Sequence, residues 1–203
     1  MHMDDRTASF EIGLARTEDD LEGILALQRR NLETSLSDTD VRADGFVTVR
    51  HDLELLSEMN ASAAHVVARA DGVVVGYALV MLREFETRIP ILAPMFEVLR
   101  DLSYRGRPLD ETSYFVMGQV CVAEGHRGSG VFGALYDGLR RNYRDDFDLV
   151  VTEIATRNGR SRRAHEKVGF ELLRRYVDEE GESWDVVTWD WSEPFRSDGI
   201  ART

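Results

Sequence analysis

The 203-residue sequence has one cysteine, Cys121, so no disulfide can form within the chain. That cysteine and five scattered histidines show no zinc-ligand spacing, and no metal site is expected. Lysine is almost missing: Lys167 is the only one, and arginine carries the rest of the positive charge, a bias of composition rather than a signal of function. No apolar run approaches the roughly 18 residues of a membrane span. The N-terminal MHMDDRTASF lacks the apolar stretch of a signal peptide. The expectation is a soluble cytoplasmic protein with no membrane partner. Positive charge is scarce overall. The net charge of -12 argues against nucleic acid, which needs a basic face. It mildly favours cationic substrates such as amines, and otherwise serves solubility. Repeats, low-complexity tracts and linkers are absent, and 43% hydrophobic residues suit one globular domain over residues 1–203.

What is present centres on Gln119 to Leu135, QVCVAEGHRGSGVFGAL. The apolar Val120-Cys121-Val122 reads as the end of a strand. Val131, Phe132, Leu135, Tyr136, Leu139 and Tyr143 then follow at helical spacing. Between them lies a glycine-rich turn. Gly128 and Gly130 let a ligand approach the main chain, where free N–H groups and the positive end of the helix dipole converge. Arg127 adds a fixed positive charge, and the turn suits a phosphate or pyrophosphate. No Gly-Lys-Ser/Thr follows, so this is not a P-loop. Gly128, Gly130 and Gly133 spell the dinucleotide pattern Gly-x-Gly-x-x-Gly, with Glu153 about 20 residues on. The context opposes that reading: Ala123 to Gly128 is too long a connection, a hairpin precedes it, and too little chain follows for a doubly wound sheet.

The turn resembles the acyl-CoA motif of the GNAT N-acetyltransferase superfamily, Arg/Gln-x-x-Gly-x-Gly/Ala, here Arg127-Gly128-Ser129-Gly130-Val131-Phe132. Phe132 stands where the family has a small residue. A second patch, Asn158 with SRRAHEKVGFELL, resembles the family's C-terminal Asn-x-x-Ala/Ser and Tyr-x-x-x-Gly-Phe. Asn158, Ser161, Gly169 and Phe170 match, and His165 replaces the tyrosine.

In chain order, Ser9 to Ala15 reads as a strand, and Thr17 caps a helix running to about Leu32. Glu33 to Val49 is polar and irregular, and Leu53, Leu56 and Met59 mark a second helix. His65–Ala70 and Val73–Leu82 form a hairpin about Asp71-Gly72, a type I′ signal. Gly76 marks a bulge or a close approach. Residues 88–110 are an insertion, with Met95, Phe96, Leu99 and Leu102 at helical spacing and Tyr104 to Pro108 as a loop. It reads as a packed surface helix, a lid over an acceptor pocket, or a homodimer contact. Thr112 to Ala123 is the central strand, apolar almost throughout, with a candidate bulge at Gly118. Phe147 to Thr156 is the next strand. Phe170–Val177 and Ser183–Trp191 close the domain as a hairpin before a frayed tail, 193–203.

The resemblance implies an α/β GNAT fold, a mixed twisted sheet of about seven strands flanked by helices, with a helical insertion before the central strand. It implies acetyl-CoA as cosubstrate and direct transfer of acetyl to a primary amine. The backbone of Val120, Cys121 and Val122 would pair with the pantetheine arm. Arg127, Gly128, Ser129, Gly130 and Val131 would hold the pyrophosphate, and Asn158 and Ser161 belong to the same cofactor site. One or two of Arg157, Arg160, Arg162 and Arg163 would meet the 3′-phosphate. Gln119, Tyr114 and Phe46 would face the acceptor, with Asp38, Asp40 and Thr48 as further candidates. Val120 or Val122 would offer an oxyanion N–H. Glu153, with Glu33 second, is the candidate base, and His165 the candidate acid toward the leaving thiolate. Cys121 reads as a core thiol. A rival reading is a catalytically silent acyl-CoA sensor or partner-binding module on the same fold.

Overall fold

The computed structural model describes residues 9–35 and 50–192, with side chains of the first segment described to residue 32. Seven strands form one sheet in the order β1-β2-β3-β6-β7-β9-β8. They are β1 (Glu11–Leu14), β2 (Val66–Ala70), β3 (Val73–Met81), β6 (Tyr114–Val122), β7 (Leu149–Ala155), β8 (Glu171–Val177) and β9 (Ser183–Asp190). All neighbours are antiparallel except β6 and β7. The helices are α1 (Glu18–Ser35), α2 (Leu53–Ser62), α3 (Ala93–Arg100), α4 (Val131–Tyr143) and α5 (Gly159–Val168).

Local chemistry explains the ends of these elements. Thr17 Oγ1 accepts from the Asp20 N–H, and the Asp20 carboxylate accepts from the Arg16 and Thr17 N–H groups, a reciprocal cap that starts α1. Arg69 pairs with Asp20 at 2.6 Å and ties that cap to β2. Asp52 caps α2 and Asn158 caps α5 through their side-chain oxygens. Asp71 and Gly72, at φ +50° and +78°, make the expected turn between β2 and β3.

Alternation along the strands divides the core by face. Tyr77, Leu79 and Cys121 pack against Ile24, Leu27 and Leu56 of α1 and α2. On the same face Met81, Tyr114, Val116, Leu149 and Val151 pack against the insertion. The intervening Ala78, Val80, Phe115, Val150 and Ile154 face α4 and the aromatic cluster beyond it. Gly76 is where α4 comes closest to β3. A Cβ there would lie 2.9 Å from Val131 and 3.3 Å from the Cys121 carbonyl.

The insertion begins earlier and is more ordered than its sequence suggests. Short 3-10 helices at Arg83–Arg88 and Pro90–Leu92 lead into α3. The segment expected as a loop is a small hairpin, β4 (Ser103–Tyr104) with β5 (Arg107–Pro108). Arg105 and Gly106 at its tip both have positive φ, +49° and +81°, and the arginine conceals this turn from sequence inspection. Phe85, Ile89, Met95, Phe96, Leu99 and Leu109 are all buried. Arg88 pairs with Glu58 of α2, while Tyr104 and Arg105 reach Asp190 of β9. The insertion is thus fastened to the domain at both ends.

Two irregularities in β6 prepare the site. Its pairing with β3 slips by one residue, with Leu79 opposite Gln119 but Val80 opposite Met117. Gly118 is the extra residue of a bulge. Its parallel pairing with β7 covers only Tyr114–Leu149, Phe115–Val150 and Val116–Val151. Beyond Val116 the two strands part. The Gly76→Val variant should lose about 1–3 kcal/mol of stability through overpacking of α4 against β3, read as a lower urea midpoint. An unchanged midpoint would mean that α4 is not seated on Gly76.

Candidate functional site

Where β6 and β7 part, the backbone of β6 is released from one side. Ala123 N–H donates to the Val75 carbonyl at 2.8 Å, which sets the phase of the ladder to β3. By alternation Cys121 exchanges its bonds with Tyr77, while Val120 and Val122 aim their N–H and C=O groups into the gap. The apex of the gap is closed by the Thr152 hydroxyl, which donates to the Met117 carbonyl at 2.9 Å. Of the three residues expected along the pantetheine arm, Val120 and Val122 thus turn their main-chain groups to the gap, and Cys121 turns its own to β3. Its buried thiol is pushed up to about 11 by desolvation, as suits a core thiol.

The gap opens into two connected clefts. The larger, about 750 Å³, runs from Val120 and Val122 past the glycine turn to α5. Gly128 and Gly130 hold φ of +80° and +90° there, which only glycine adopts without strain. Gly130 caps α4, whose first N–H groups lack intrahelical partners. Ser129 donates to the His126 carbonyl and stiffens the turn. Val131 is a core side chain, so its part here falls to its N–H. Arg127 lines this cleft while donating to the Val122 carbonyl at 3.3 Å and to Asn31 at 3.0 Å. The arginines of α5 separate by face. Arg160 and Arg163 line the cleft with Lys167, whereas Arg157 pairs with Glu182 and Arg162 lies 3.8 Å from Asp185. A pocket with a cationic rim, a helix N-terminus and an open strand edge fits the diphosphate and amide groups of coenzyme A. Phe132, at the position of a small family residue, packs edge-on against the His165 ring and leaves Gly133 with open space over its Cα.

The smaller cleft, about 100 Å³, lies between the parted strands and shares Val120, Asn158 and Ser161 with the larger. Gln119, Glu153 and His165 line it. Glu153 stands two residues beyond Val151, so it projects to the face covered by the insertion. Tyr176 of β8 donates to Glu153 Oε2 at 2.7 Å. Burial pushes the Glu153 carboxyl up to about 7, helped by the negative charge of Asp178 and opposed by the Tyr176 hydrogen bond. Tyr176 escaped the sequence reading because its contact crosses β9 and no spacing pattern encodes it.

His165 is 2% exposed with both ring nitrogens engaged. Nδ1 lies 2.8 Å from the Ser161 carbonyl, which can only accept, so Nδ1 carries the proton. Nε2 therefore accepts from the Tyr136 hydroxyl at 2.7 Å. Burial lowers its pKa to about 4, so at neutral pH the ring has no acidic proton to give. This geometry weighs against the expected acid role and for a core imidazole that braces α5 on α4. Gln119 is the hub of a buried network: its Oε1 accepts from Gln28 at 2.7 Å and Tyr77 at 2.6 Å, and Gln28 also holds His51. Tyr114 lies away from both clefts, among insertion side chains and with Arg83 over its ring. It sits at the paired end of β6, before the strands part. Phe46, Asp38, Asp40, Thr48 and the side chain of Glu33 lie outside the described residues.

A family model described as acetyltransferase (GNAT) matches residues 31–170. Solved structures share the fold at low identity. A ribosomal-protein-alanine N-acetyltransferase from Brucella melitensis is 22% identical, covering 89% of this chain and 99% of its own, with a TM-score of 0.60. A putative acetyltransferase from Salmonella typhimurium, solved with its cofactor acetyl-CoA, is 17% identical over 94% of this chain and 99% of its own, with a TM-score of 0.60. A GNAT-family acetyltransferase from Streptococcus agalactiae is 14% identical over 89% and 95%, with a TM-score of 0.62. No curated protein matches the sequence.

The raised Glu153 pKa has a consequence for stability. The folded chain keeps the Glu153 proton where the unfolded chain, near the ordinary 4.5, has lost it. The folded state then binds more protons, so this group's contribution falls as pH rises from about 4.5 through about 7. Glu153→Gln should remove that loss, gaining roughly 1–3 kcal/mol over wild type between pH 5 and pH 8. Urea midpoints at the two pH values measure it. Parallel curves for the two proteins would show that Glu153 titrates normally.

Proposed function

This chain belongs to the GNAT acetyltransferase family, and on that premise we propose that it transfers the acetyl group of acetyl-CoA directly to a primary amine. The observation that carries this reading is the junction of the two clefts at Val120. A cleft of about 750 Å³ lined by Arg127, Arg160, Arg163 and Lys167 adjoins a small chamber that holds, among its described residues, one carboxylate of raised pKa.

The glycine turn and the α4 N-terminus hold the diphosphate, with Arg127 bracing the turn. Arg160, Arg163 and Lys167 meet the outer phosphate. Val120 and Val122 extend the strand edge to the pantetheine amides, which draws the thioester into the chamber. Much of the rate gain then comes from proximity. Glu153 removes a proton from the acceptor ammonium through Oε1, while Tyr176 holds Oε2 and keeps the carboxyl ionisable near neutral pH. The amine nitrogen attacks the thioester carbon. Val120 N–H stabilises the oxyanion, the C–N bond forms and the C–S bond breaks. As the C–S bond breaks, the nitrogen gives up its second proton, which passes through water in the open cleft to the departing thiolate, a moderate base near the cysteine value of about 8.5. His165 keeps a positioning role through Ser161 and Tyr136.

Calorimetric titration of wild type with acetyl-CoA should give micromolar binding, weakened about tenfold or more (about 1.4 kcal/mol) in Gly130→Glu and Arg127→Ala. Glu153→Gln should bind acetyl-CoA as wild type does, yet lose at least a hundredfold in kcat and with it the rising limb of the pH–rate profile near 7. Tight binding with no thiol release from any amine would favour the silent acyl-CoA sensor. Absence of binding would remove both readings.

A further inference from the structure

The charge lining the smaller cleft is unlike that of the molecule as a whole. With a net charge of -12, the chain as a whole would attract polycations. Yet among the described residues lining this chamber, Glu153 is the only one that carries a charge, since His165 is held neutral. Among those described residues there is no arginine or lysine to receive a carboxylate, and no second carboxylate for a second ammonium.

The insertion supplies the rest of the contrast. Leu92 and Met95 line the chamber and belong to the core cluster on the same sheet face as Glu153. Trp184, opposite Ala155 on β9, adds an indole whose N–H is already spent on Asp178. The insertion is not loose over the opening. Its core side chains are buried, and Arg88, Tyr104 and Arg105 fasten it to α2 and β9. The wall is therefore a standing feature of the site. A hydrocarbon group on the acceptor gains by leaving water against it, at about 25 cal/mol per Å² of apolar surface covered. A second charge on the acceptor would be desolvated against that wall with no opposite charge among the described lining residues to offset it.

Building on the proposed acetyltransferase activity, we propose that Leu92, Met95 and Trp184 select an alkyl or aralkyl monoamine as acceptor, whose atoms nearest the reactive nitrogen are hydrocarbon, and reject short polyamines and amino acids. The volume of about 100 Å³, room for roughly three waters at about 30 Å³ each, limits the selected part to a few carbons. Larger bodies attached beyond it remain outside the chamber.

Three acceptors of similar length isolate the effect: pentylamine, 1,4-diaminobutane and 4-aminobutanoate. Their kcat/KM values are measured by thiol release at saturating acetyl-CoA. Pentylamine should exceed each of the others at least tenfold. Leu92→Asp, which adds a carboxylate to the apolar wall, should move the pentylamine-to-diamine ratio at least tenfold toward the diamine, with acetyl-CoA affinity as in wild type. Equal or reversed wild-type preference would overturn the inference, whatever the variant does. So would turnover of none of the three by a protein that binds acetyl-CoA in calorimetry, and that result leaves the cosubstrate site standing. Failure to bind acetyl-CoA would instead strike the acetyltransferase reading itself.

Discussion

The structure depends on a ladder that stops. β6 and β7 are paired at three positions and then separate, although both strands continue. A parallel pair buried in the middle of a sheet would normally satisfy its main-chain groups along its whole length, since an orphaned buried N–H or C=O is costly. Here the release is limited and partly compensated. Thr152 caps the Met117 carbonyl at the apex, and Arg127 caps the Val122 carbonyl at the mouth. Between those two plugs, the edge groups of Val120 are left to a ligand. The clefts, the access to Glu153 and the contact with the glycine turn all follow from that opening.

The bulge at Gly118 makes the opening usable. A one-residue slip moves each following side chain to the other face of the sheet. Without it, Gln119 would point toward α4; with it, Gln119 meets Gln28 and Tyr77 beneath α1 and α2. That network ties α1, the start of α2 and the two central strands to the same few ångströms of the site. On β7 the ordinary alternation sends Glu153 to the insertion face, while Asn158 and α5 continue on the other side. The two clefts are thus lined from opposite faces of one sheet, and in the proposed reaction the gap between β6 and β7 is what cosubstrate and acceptor meet across.

Much of this was legible in the sequence. Periodicity gave the seven main strands and the long helices, because their buried positions are apolar and repeat at two or 3.6 residues. The glycines of the turn were readable because a tight main-chain approach restricts those positions to a few residue types, whereas Asn158 and Ser161 were singled out only by the family resemblance, and their capping bond is a finding of the structure. Glu153 could be chosen from its strand beside the expected splay. What sequence could not reveal was three-dimensional pairing. Tyr176 reaches Glu153 across an intervening strand. His165 looks like a free imidazole until Tyr136 and the Ser161 carbonyl are seen to occupy it. Tyr114 and Gln119 share β6, yet the bulge and the point of separation lie between them, and only Gln119 reaches the site. The β4–β5 hairpin was hidden because an arginine takes one of the positive-φ positions normally signalled by asparagine or glycine.

An acidic chain proposed to bind an anionic cosubstrate looks contradictory until charge is considered locally. Arg160, Arg163, Lys167 and Arg127 line one cleft, and a helix N-terminus points into it. Asp137 also lines that cleft, but within a Debye length of about 8 Å at physiological salt the four cations outnumber it and outweigh the more distant acidic surface. The neighbouring chamber needs the opposite character. A fixed cation beside Glu153 would hold its carboxylate ionised and lower its basicity, weakening it in the proposed role of base toward the acceptor ammonium. Burial, the nearby Asp178 and the lack of lining cations act together to keep that basicity high, and the single Tyr176 hydrogen bond keeps it from rising further. Separating a cationic cleft from a chamber with one carboxylate among its described residues therefore does for reactivity what the parted strands do for geometry: in the proposed reaction each reactant meets the environment its own charge requires, a few residues from the other.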